Sequence, residues 1–231
     1  MNPMPEASAA NAAVRGYGRL YADLYGRFRP ETRRTGSERL SMVRVRQRSH
    51  ATSDPAIDAI VLRLVMHAAP GKGPASRVDF GNGPVRLTGR AGSFYVAPHG
   101  AVADWQTAGA HEIMLLALPP SLLRDRLGGG AGMPDLEPVL GREFADPLFA
   151  DLMSRVWMAA HEHGPAERLM ADGFVLAVVG ALMAAAGRHA GDDMTGALDD
   201  ARLTRVRDHI EAYLDGDLAV EALAATACLS P

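Results

Sequence analysis

Three hydrophobic patterns follow one another along the chain. Residues 13–28 place Leu20 and Leu24 at helical spacing, together with three tyrosines. Between residues 40 and 118, apolar and polar residues form short runs of the kind seen in half-buried strands. Beyond residue 146 the apolar residues return every three or four positions. This order predicts an α+β chain in which one helix precedes a sheet region and several helices follow it.

Seven short β-like runs make up the middle region, with Gly, Pro and Asn clustered between them. They cover residues 40–48, 59–67, 76–80, 85–88, 93–97, 102–106 and 111–118. Short strands separated by such turn signals are typical of a sandwich or a barrel. Pro119 and Pro120 end the last run, and a short helix is expected over 121–127.

Two longer helices are predicted after this region. Asp146 followed by Pro147 is a good start for the first, which runs to about residue 161. Its apolar stripe consists of Leu148, Leu152 and Val156. The second covers 166–187, and one side of it carries Leu169, Gly173, Leu176 and Gly180. Because this helix is apolar nearly all round and rich in small residues, it is expected to make close helix–helix contacts, and residues 187–196 are expected to form a linker.

The last stretch reads as two helices and the start of a third. Leu203, Val206, Ile210 and Leu214 form one apolar stripe, and a short alanine-rich helix is expected over 220–227. Ser230 and Pro231 then suit the first positions of a further helix. The pattern predicts a helix-turn-helix, although a helical hairpin closing another kind of domain fits the spacing too.

The residues of this stretch resemble the opening of the AraC-type DNA-binding domain. The matching pattern is L-x-R-V-x-x-x-I-x-x-x-L over 203–214, followed by a second helix and a turn. Ala219 departs from it, standing where a Ser or Thr cap is expected. The resemblance assigns the start of the DNA-binding domain to Leu223, Ala224, Ala227, Leu229, Ser230 and Pro231. It implies a transcription regulator that is cut just before its first recognition helix.

A second resemblance lies in the strand region. The segment from Gly92 through Pro98 to Gly100 is similar to the second conserved motif of cupins. In metal-binding cupins a histidine follows this motif, whereas Ala103 occupies that position here, and no upstream His-x-His with a glutamate is present. We therefore expect a cupin-like β-barrel, of the double-stranded β-helix or jelly-roll kind, with no metal and no cofactor. AraC-type regulators commonly carry such a domain as their effector sensor.

A barrel of this kind holds a small ligand in its mouth. The candidates for an effector pocket are Arg63, His67, Tyr95, His99, Trp105 and His111. Arg63 and His67 alternate with apolar residues and are therefore expected to share a face. Surface or structural roles are the alternative for each residue, and Tyr95 and Trp105 are the strongest candidates because large amphipathic rings suit a cavity wall.

Composition narrows the class of protein. The chain of 231 residues is 48% hydrophobic and 22% charged, with one cysteine and a net charge of −3. Neither a signal peptide nor an apolar run of eighteen residues is visible, so we expect a cytoplasmic protein without membrane contact. Residues 1–50 hold ten arginines and four acidic residues, a local charge of +6. Such a segment fits either nucleic-acid contact or a solvated basic strand face, the latter over Arg44, Arg46 and Arg48.

These observations predict four segments: an N-terminal arm (1–36), a cupin-like sensor barrel (37–127), a helical pair for dimerisation (128–190) and an incomplete helix-turn-helix domain (199–231). The leading hypothesis is a ligand-responsive regulator, not an enzyme, that forms a homodimer, binds a small-molecule effector and contacts DNA only as a full-length protein. One alternative is a metal-free cupin-superfamily enzyme or binding module that uses His99 or His111 as acid or base. Another is a truncated sensor that acts by forming mixed dimers.

Overall fold

The structure is a computed structural model that describes residues 6–68, 76–81, 83–126, 136–160 and 164–194, together with 207 and 210. Within the first five of these ranges the α-helices are α1 (Glu6–Tyr25), α2 (Pro120–Arg126), α3 (Pro147–Ala159) and α4 (Pro165–Met194). The strands in the same ranges are β1 (Glu31–Thr35), β2 (Leu40–Gln47), β3 (His50–Asp54), β4 (Ile60–Ala68), β5 (Ser76–Asp79), β6 (Pro84–Leu87), β7 (Ser93–Ala97), β8 (Ala103–Thr107), β9 (His111–Leu118) and β10 (Glu143–Ala145). The chain divides into two compact units, Met1–Ala184 and Ala185–Pro231, and the site described below lies in the first.

Two antiparallel sheets form the centre of the first unit. The larger has the order β1-β2-β9-β4-β7-β10 and the smaller the order β3-β8-β5-β6. The predicted α+β class is therefore confirmed, whereas the predicted barrel is not. Within the described ranges no strand pair joins one sheet to the other, so the fold is a two-layer roll and the barrel is not closed.

All seven predicted strands are present, each within one or two residues of its expected ends. Sequence analysis missed β1, β3 and β10. These three strands lie in polar segments without strict apolar alternation. All three are edge strands. An edge strand needs few buried side chains, so its hydrophobic pattern is weak.

The alternation predicted in β2 is confirmed. Val43, Val45 and Gln47 are buried, while the arginines between them lie on the opposite face. Two of these arginines bind the buried carboxylate of Glu112 on the neighbouring strand: Arg44 Nε lies 2.5 Å from Oε1 and Arg46 Nε lies 2.9 Å from Oε2. Part of the basic character of this segment is therefore neutralised within the sheet, which supports a structural role for the strand.

Helix α3 packs against the larger sheet through aromatic contacts. It begins as predicted, because the Asp146 side chain accepts hydrogen bonds from the backbone N–H groups of Leu148 and Phe149. The Phe149 ring is fully buried with its centroid 3.9 Å from that of Phe94 on β7. At the other end of the helix, the Arg33 guanidinium lies 4.1 Å above the Trp157 ring and donates to the Trp157 carbonyl. These contacts fix α3 to β1 at one edge of the larger sheet and to β7 next to the other edge.

Helix α4 is longer than predicted, since it continues to Met194 where a linker was expected from Gly187. The helix passes through Gly187 and Gly191, although each costs about 1 kcal/mol relative to alanine. The segment Pro165–Arg188 is long and apolar enough to cross a membrane, with a mean hydropathy of 2.1, and 44% of it is buried inside the protein.

The residues predicted for dimerisation fall into two groups. Leu152 and Val156 are buried within the unit, so they belong to its own core. Leu148 is 59% exposed. On α4, Leu169 is 74% and Leu176 41% exposed, and Gly173 and Gly180 are exposed as well. The last four residues follow one another at steps of four, three and four, and we call them the α4 stripe. The predicted start of the DNA-binding domain, 223–231, lies outside the described residues.

Candidate functional site: a cavity between the two sheets

A cavity of about 70 Å³ lies between the sheets. Its walls come from the larger sheet, the smaller sheet and one side of α1. They are formed by Tyr17, Leu20, Tyr21, Leu24, Tyr25, Gln47, His50, Asp54, Pro55, Ile57, Val61, Arg63, Phe80, Tyr95, Ala97, Pro98, Ala101, Ala103, Trp105, Thr107, Ile113 and Leu115. Most of these side chains are apolar or aromatic, with a few polar groups among them, which is the usual make-up of a small-molecule site.

Among the described residues of this lining, Arg63 is the only arginine or lysine. It lies in the middle of β4, where it pairs with Tyr95 on β7 and with Leu115 on β9, and it is only 6% exposed. Its guanidinium lies 3.2 Å from His111 Nε2 and 5.1 Å above the Trp105 ring. Burial lowers the pKa of Arg63, while neighbouring tyrosines and Glu143 act in the opposite direction.

Three tyrosines of α1 cover one side of the cavity. Tyr17, Tyr21 and Tyr25 are spaced four residues apart and are all buried. The rings of Tyr21 and Tyr25 stack at 4.4 Å, and the Tyr21 hydroxyl accepts a hydrogen bond of 2.7 Å from Gln47 Nε2. Burial raises the pKa of each tyrosine well above 10, so the hydroxyls stay protonated and remain hydrogen-bond donors.

Asp54 at the end of β3 is the carboxyl group of the cavity wall. It accepts a hydrogen bond of 2.6 Å from the Tyr25 hydroxyl. Burial raises its pKa to about 6, although hydrogen bonds from Tyr25 and Trp105 act against this shift. Asp54 therefore links α1 to the smaller sheet and changes charge close to neutral pH.

His111 is the closest polar side chain to the Arg63 guanidinium among the contacts described above. It is 4% exposed, and burial lowers its pKa to about 4, with the nearby Arg63 charge acting in the same direction. The imidazole is therefore neutral at physiological pH. It lies behind Arg63, beside the cavity rather than in its lining.

Only some of the six predicted pocket residues lie at the cavity. Arg63, Tyr95 and Trp105 line the cavity and His111 adjoins it. His99 is exposed and outside the lining. The expectation that Arg63 and His67 share a face is wrong, because a bulge between Val65 and His67 shifts the register of β4. His67 consequently pairs with Glu112 on the outer face and is exposed.

The glycines of the cupin-like motif have the predicted corner positions. Gly92 and Gly100 flank β7 with φ angles of 82° and 73°, a region that side chains with a Cβ rarely adopt. Ala103, at the position of the metal-binding histidine in cupins, contributes only a methyl group to the cavity wall. Among the residues that the structure describes, no three His, Cys, Asp or Glu side chains are grouped closely enough to hold a metal ion.

Sequence reasoning missed the contribution of α1 and β3. The signal for α1 was present, since tyrosines at 17, 21 and 25 must lie on one helical face. For Asp54 there was no signal, because β3 has no apolar alternation and its partner Tyr25 is 29 positions away.

Asp54 and His111 give the stability of the protein opposite pH dependences. The pKa of Asp54 is about 6 in the folded protein and 3.8 in a free side chain. Between these two pH values the folded protein holds a proton that the unfolded chain has lost. The unfolding free energy therefore falls as the pH rises from 3.8 to about 6. His111 has a folded pKa of about 4 against 6.5, so the unfolded chain holds the proton and the unfolding free energy rises with pH between these values. Each shift corresponds to about 3 kcal/mol.

We compare the unfolding free energy of Asp54→Asn with that of the wild type at the same pH. The difference is expected to favour the variant more at pH 7 than at pH 4, by up to about 3 kcal/mol. His111→Asn should show the reverse dependence. Urea unfolding at several pH values measures both, and referring each variant to the wild type at the same pH cancels the titration of His50 and Glu112. Identical pH profiles for all three proteins would contradict the assigned shifts.

Solved structures similar to the chain include a regulator and cupin domains. The AraC-like transcriptional activator CuxR matches 94% of this chain and 80% of its own, with 17% identity and a TM-score of 0.45. A cupin-2 domain containing protein from Shewanella frigidimarina matches 33% of this chain and 67% of its own, with 18% identity and a TM-score of 0.27. A cupin domain from Bordetella pertussis matches 38% and 88%, with 15% identity and a TM-score of 0.30.

No protein-family model matches the chain, and no curated protein matches it significantly. Likeness at these TM-scores does not define a family or a function for the chain. The residues of the cavity and of the exposed helix face must carry the functional conclusion.

Proposed function

We propose that the chain is the sensor and dimerisation part of an AraC-type transcription regulator, built on a metal-free cupin-like domain. The observation that carries this proposal is the cavity between the sheets, which has aromatic walls and a buried guanidinium and is covered on one side by α1. A ligand in this cavity touches both sheets and the helix at once. Its binding can therefore shift the population of conformations of the whole unit, which is what an effector must do.

Binding, rather than catalysis, fits the ionisable groups of the cavity. A general base works best with a pKa near the working pH, whereas the pKa of His111 is about 4 and its Nε2 is directed at Arg63. His99, the other histidine considered for acid–base chemistry, is exposed and outside the cavity. The proposal therefore treats the protein as a non-enzyme without cofactor.

DNA contact is proposed for the full-length protein only. It rests on the resemblance of residues 203–231 to the first helices of an AraC-type domain. Such a regulator works in the cytoplasm, and the proposal assigns no membrane contact to the apolar helix α4.

The α4 stripe is the proposed dimer surface. It presents two leucines and two glycines to solvent, and the glycines allow the backbones of two helices to approach closely. In a twofold dimer each residue of this face meets the same face of its partner.

Leu176→Glu is expected to weaken dimerisation by at least about tenfold, because two carboxylates would be brought into one apolar interface. Val102→Glu is the matched control, since Val102 is 48% exposed and lies in the sheet region. Sedimentation across a concentration series measures both. A monomeric wild type, or equal effects of the two substitutions, would refute the proposed surface.

Gel-shift experiments test the regulator assignment. The 231-residue chain should bind DNA weakly or not at all, and a protein extended along the reading frame past Pro231 should bind paired half-sites specifically and as a dimer. Tight specific binding by the 231-residue chain would contradict the proposal, as would an extension without a second helix-turn-helix.

A further inference from the structure

Among the residues that the structure describes, no carboxylate lies within ion-pair distance of the Arg63 guanidinium. Its two close partners, the neutral imidazole of His111 and the ring of Trp105, carry no negative charge. A buried charge left without an opposite charge destabilises a folded protein strongly. A buried guanidinium that lines a cavity and has no ion-pair partner among the described residues is suited to bind an anionic ligand.

Two carboxyl groups act electrostatically with Arg63, and each of them accepts hydrogen bonds from other groups. Asp54 accepts the hydrogen bond of Tyr25, and burial raises its pKa. Glu143 accepts hydrogen bonds from the backbone N–H groups of Thr88 and Gly89. Neither group forms an ion pair with Arg63, so the cation stays available to a ligand.

Two tyrosines that line the same cavity, Tyr95 and Tyr21, act electrostatically on Arg63. Tyr95 is the cross-strand neighbour of Arg63, and its buried hydroxyl has no hydrogen-bond partner among the residues described. The Tyr21 hydroxyl already accepts from Gln47, which leaves its hydrogen for another acceptor. A guanidinium and an unpaired hydroxyl on adjacent strands together suit the two oxygens of one carboxylate.

The size and charge of the cavity narrow the ligand further. A volume of about 70 Å³ has room for about five to seven water-sized groups. The remaining walls are largely apolar, with Leu20, Ile57, Val61 and Ala97 among them. A single buried cation balances one negative charge, so a monoanion fits better than a phosphate dianion.

We propose that the cavity binds a compact monocarboxylate, with its carboxylate group on Arg63 and the Tyr95 hydroxyl and its short hydrocarbon part against the apolar walls. This inference rests on the proposed function, in which the same cavity is the effector site.

Ligand-observed NMR titration of the 231-residue protein tests the inference with butanoate and pentanoate against butanamide and pentanamide, and with inorganic phosphate, at constant ionic strength. The carboxylates should bind at least about tenfold more tightly than their amides and than phosphate, because only they pair with the buried charge. This comparison uses the unaltered protein and does not depend on any variant folding.

Variants then locate the bound carboxylate. Arg63→Gln should lower butanoate affinity at least about tenfold and Tyr95→Phe about threefold or more, while Arg77→Gln, which alters an exposed arginine of β5, should leave it unchanged.

Amides that bind as tightly as the carboxylates would overturn the inference, as would tighter binding of phosphate, equal effects of Arg63→Gln and Arg77→Gln, or no carboxylate binding up to about 10 mM. None of these results touches the dimerisation and DNA-binding tests, so the ligand class can fail while the regulator assignment stands.

Discussion

Replacing Phe149 by alanine is expected to lower the free energy of unfolding by about 3–5 kcal/mol, the range for removing a fully buried aromatic ring. Phe149 is 0% exposed and lies in edge-to-face contact with Phe94 and Phe144. Its loss leaves a cavity between α3 and strands β7 and β10 of the larger sheet. Urea unfolding at pH 7 measures the loss.

Leu148→Ala is the matched control, because Leu148 is the preceding residue on α3 and is 59% exposed. It should change stability by less than about 0.5 kcal/mol. Equal losses at positions 148 and 149 would mean that α3 does not pack on the sheet through the Phe149 face.

Replacing Arg63 by methionine is expected to raise the free energy of unfolding of the ligand-free protein by about 1–2 kcal/mol, since an unpaired buried charge is exchanged for an apolar side chain of similar length. The gain is limited because His111 Nε2 loses its partner. The pKa of His111 should rise at the same time, because the Arg63 charge contributes to holding it low. Stability gained by removing a polar residue is typical of sites kept for binding.

Denaturant unfolding at pH 7 and an NMR titration of the His111 ring measure the two effects. Arg77→Met provides the control, as Arg77 is an exposed arginine on β5 and its replacement should be nearly neutral. A loss of more than about 2 kcal/mol in Arg63→Met would show that the guanidinium is structural and would remove the main support for a ligand at this position.

Much of the fold was predictable because burial imposes simple periodicities. Strand β9 was found from its continuous apolar run, and β7 from the glycines that flank it. Strands β1, β3 and β10 were missed because edge strands bury few side chains. The end of α4 was misplaced because a linker was expected from Gly187, while the helix continues to Met194.

The site was predictable only in part. Arg63, Tyr95 and Trp105 stand on strands whose alternation could be read, so their place in one cavity was within reach. His67 was misplaced because one extra residue in β4 reverses the faces, and sequence alone gave no sign of that bulge. The pairing of Tyr25 with Asp54 depends on how α1 crosses the sheets, which is a property of tertiary packing.

The central claim is that the cavity between the sheets is where the protein senses a ligand, and a cavity-filling variant tests it most directly. Ala97 lines the cavity at the end of β7, and leucine at this position places three additional carbon atoms in it. Thermal unfolding of the wild type and of Ala97→Leu should be measured across the same collection of metabolites, since a ligand that binds the folded state raises its Tm. We predict that at least one compound raises the Tm of the wild type and that Ala97→Leu, itself folded, does not respond to it. Equal shifts in the two proteins would place the ligand elsewhere and contradict the account.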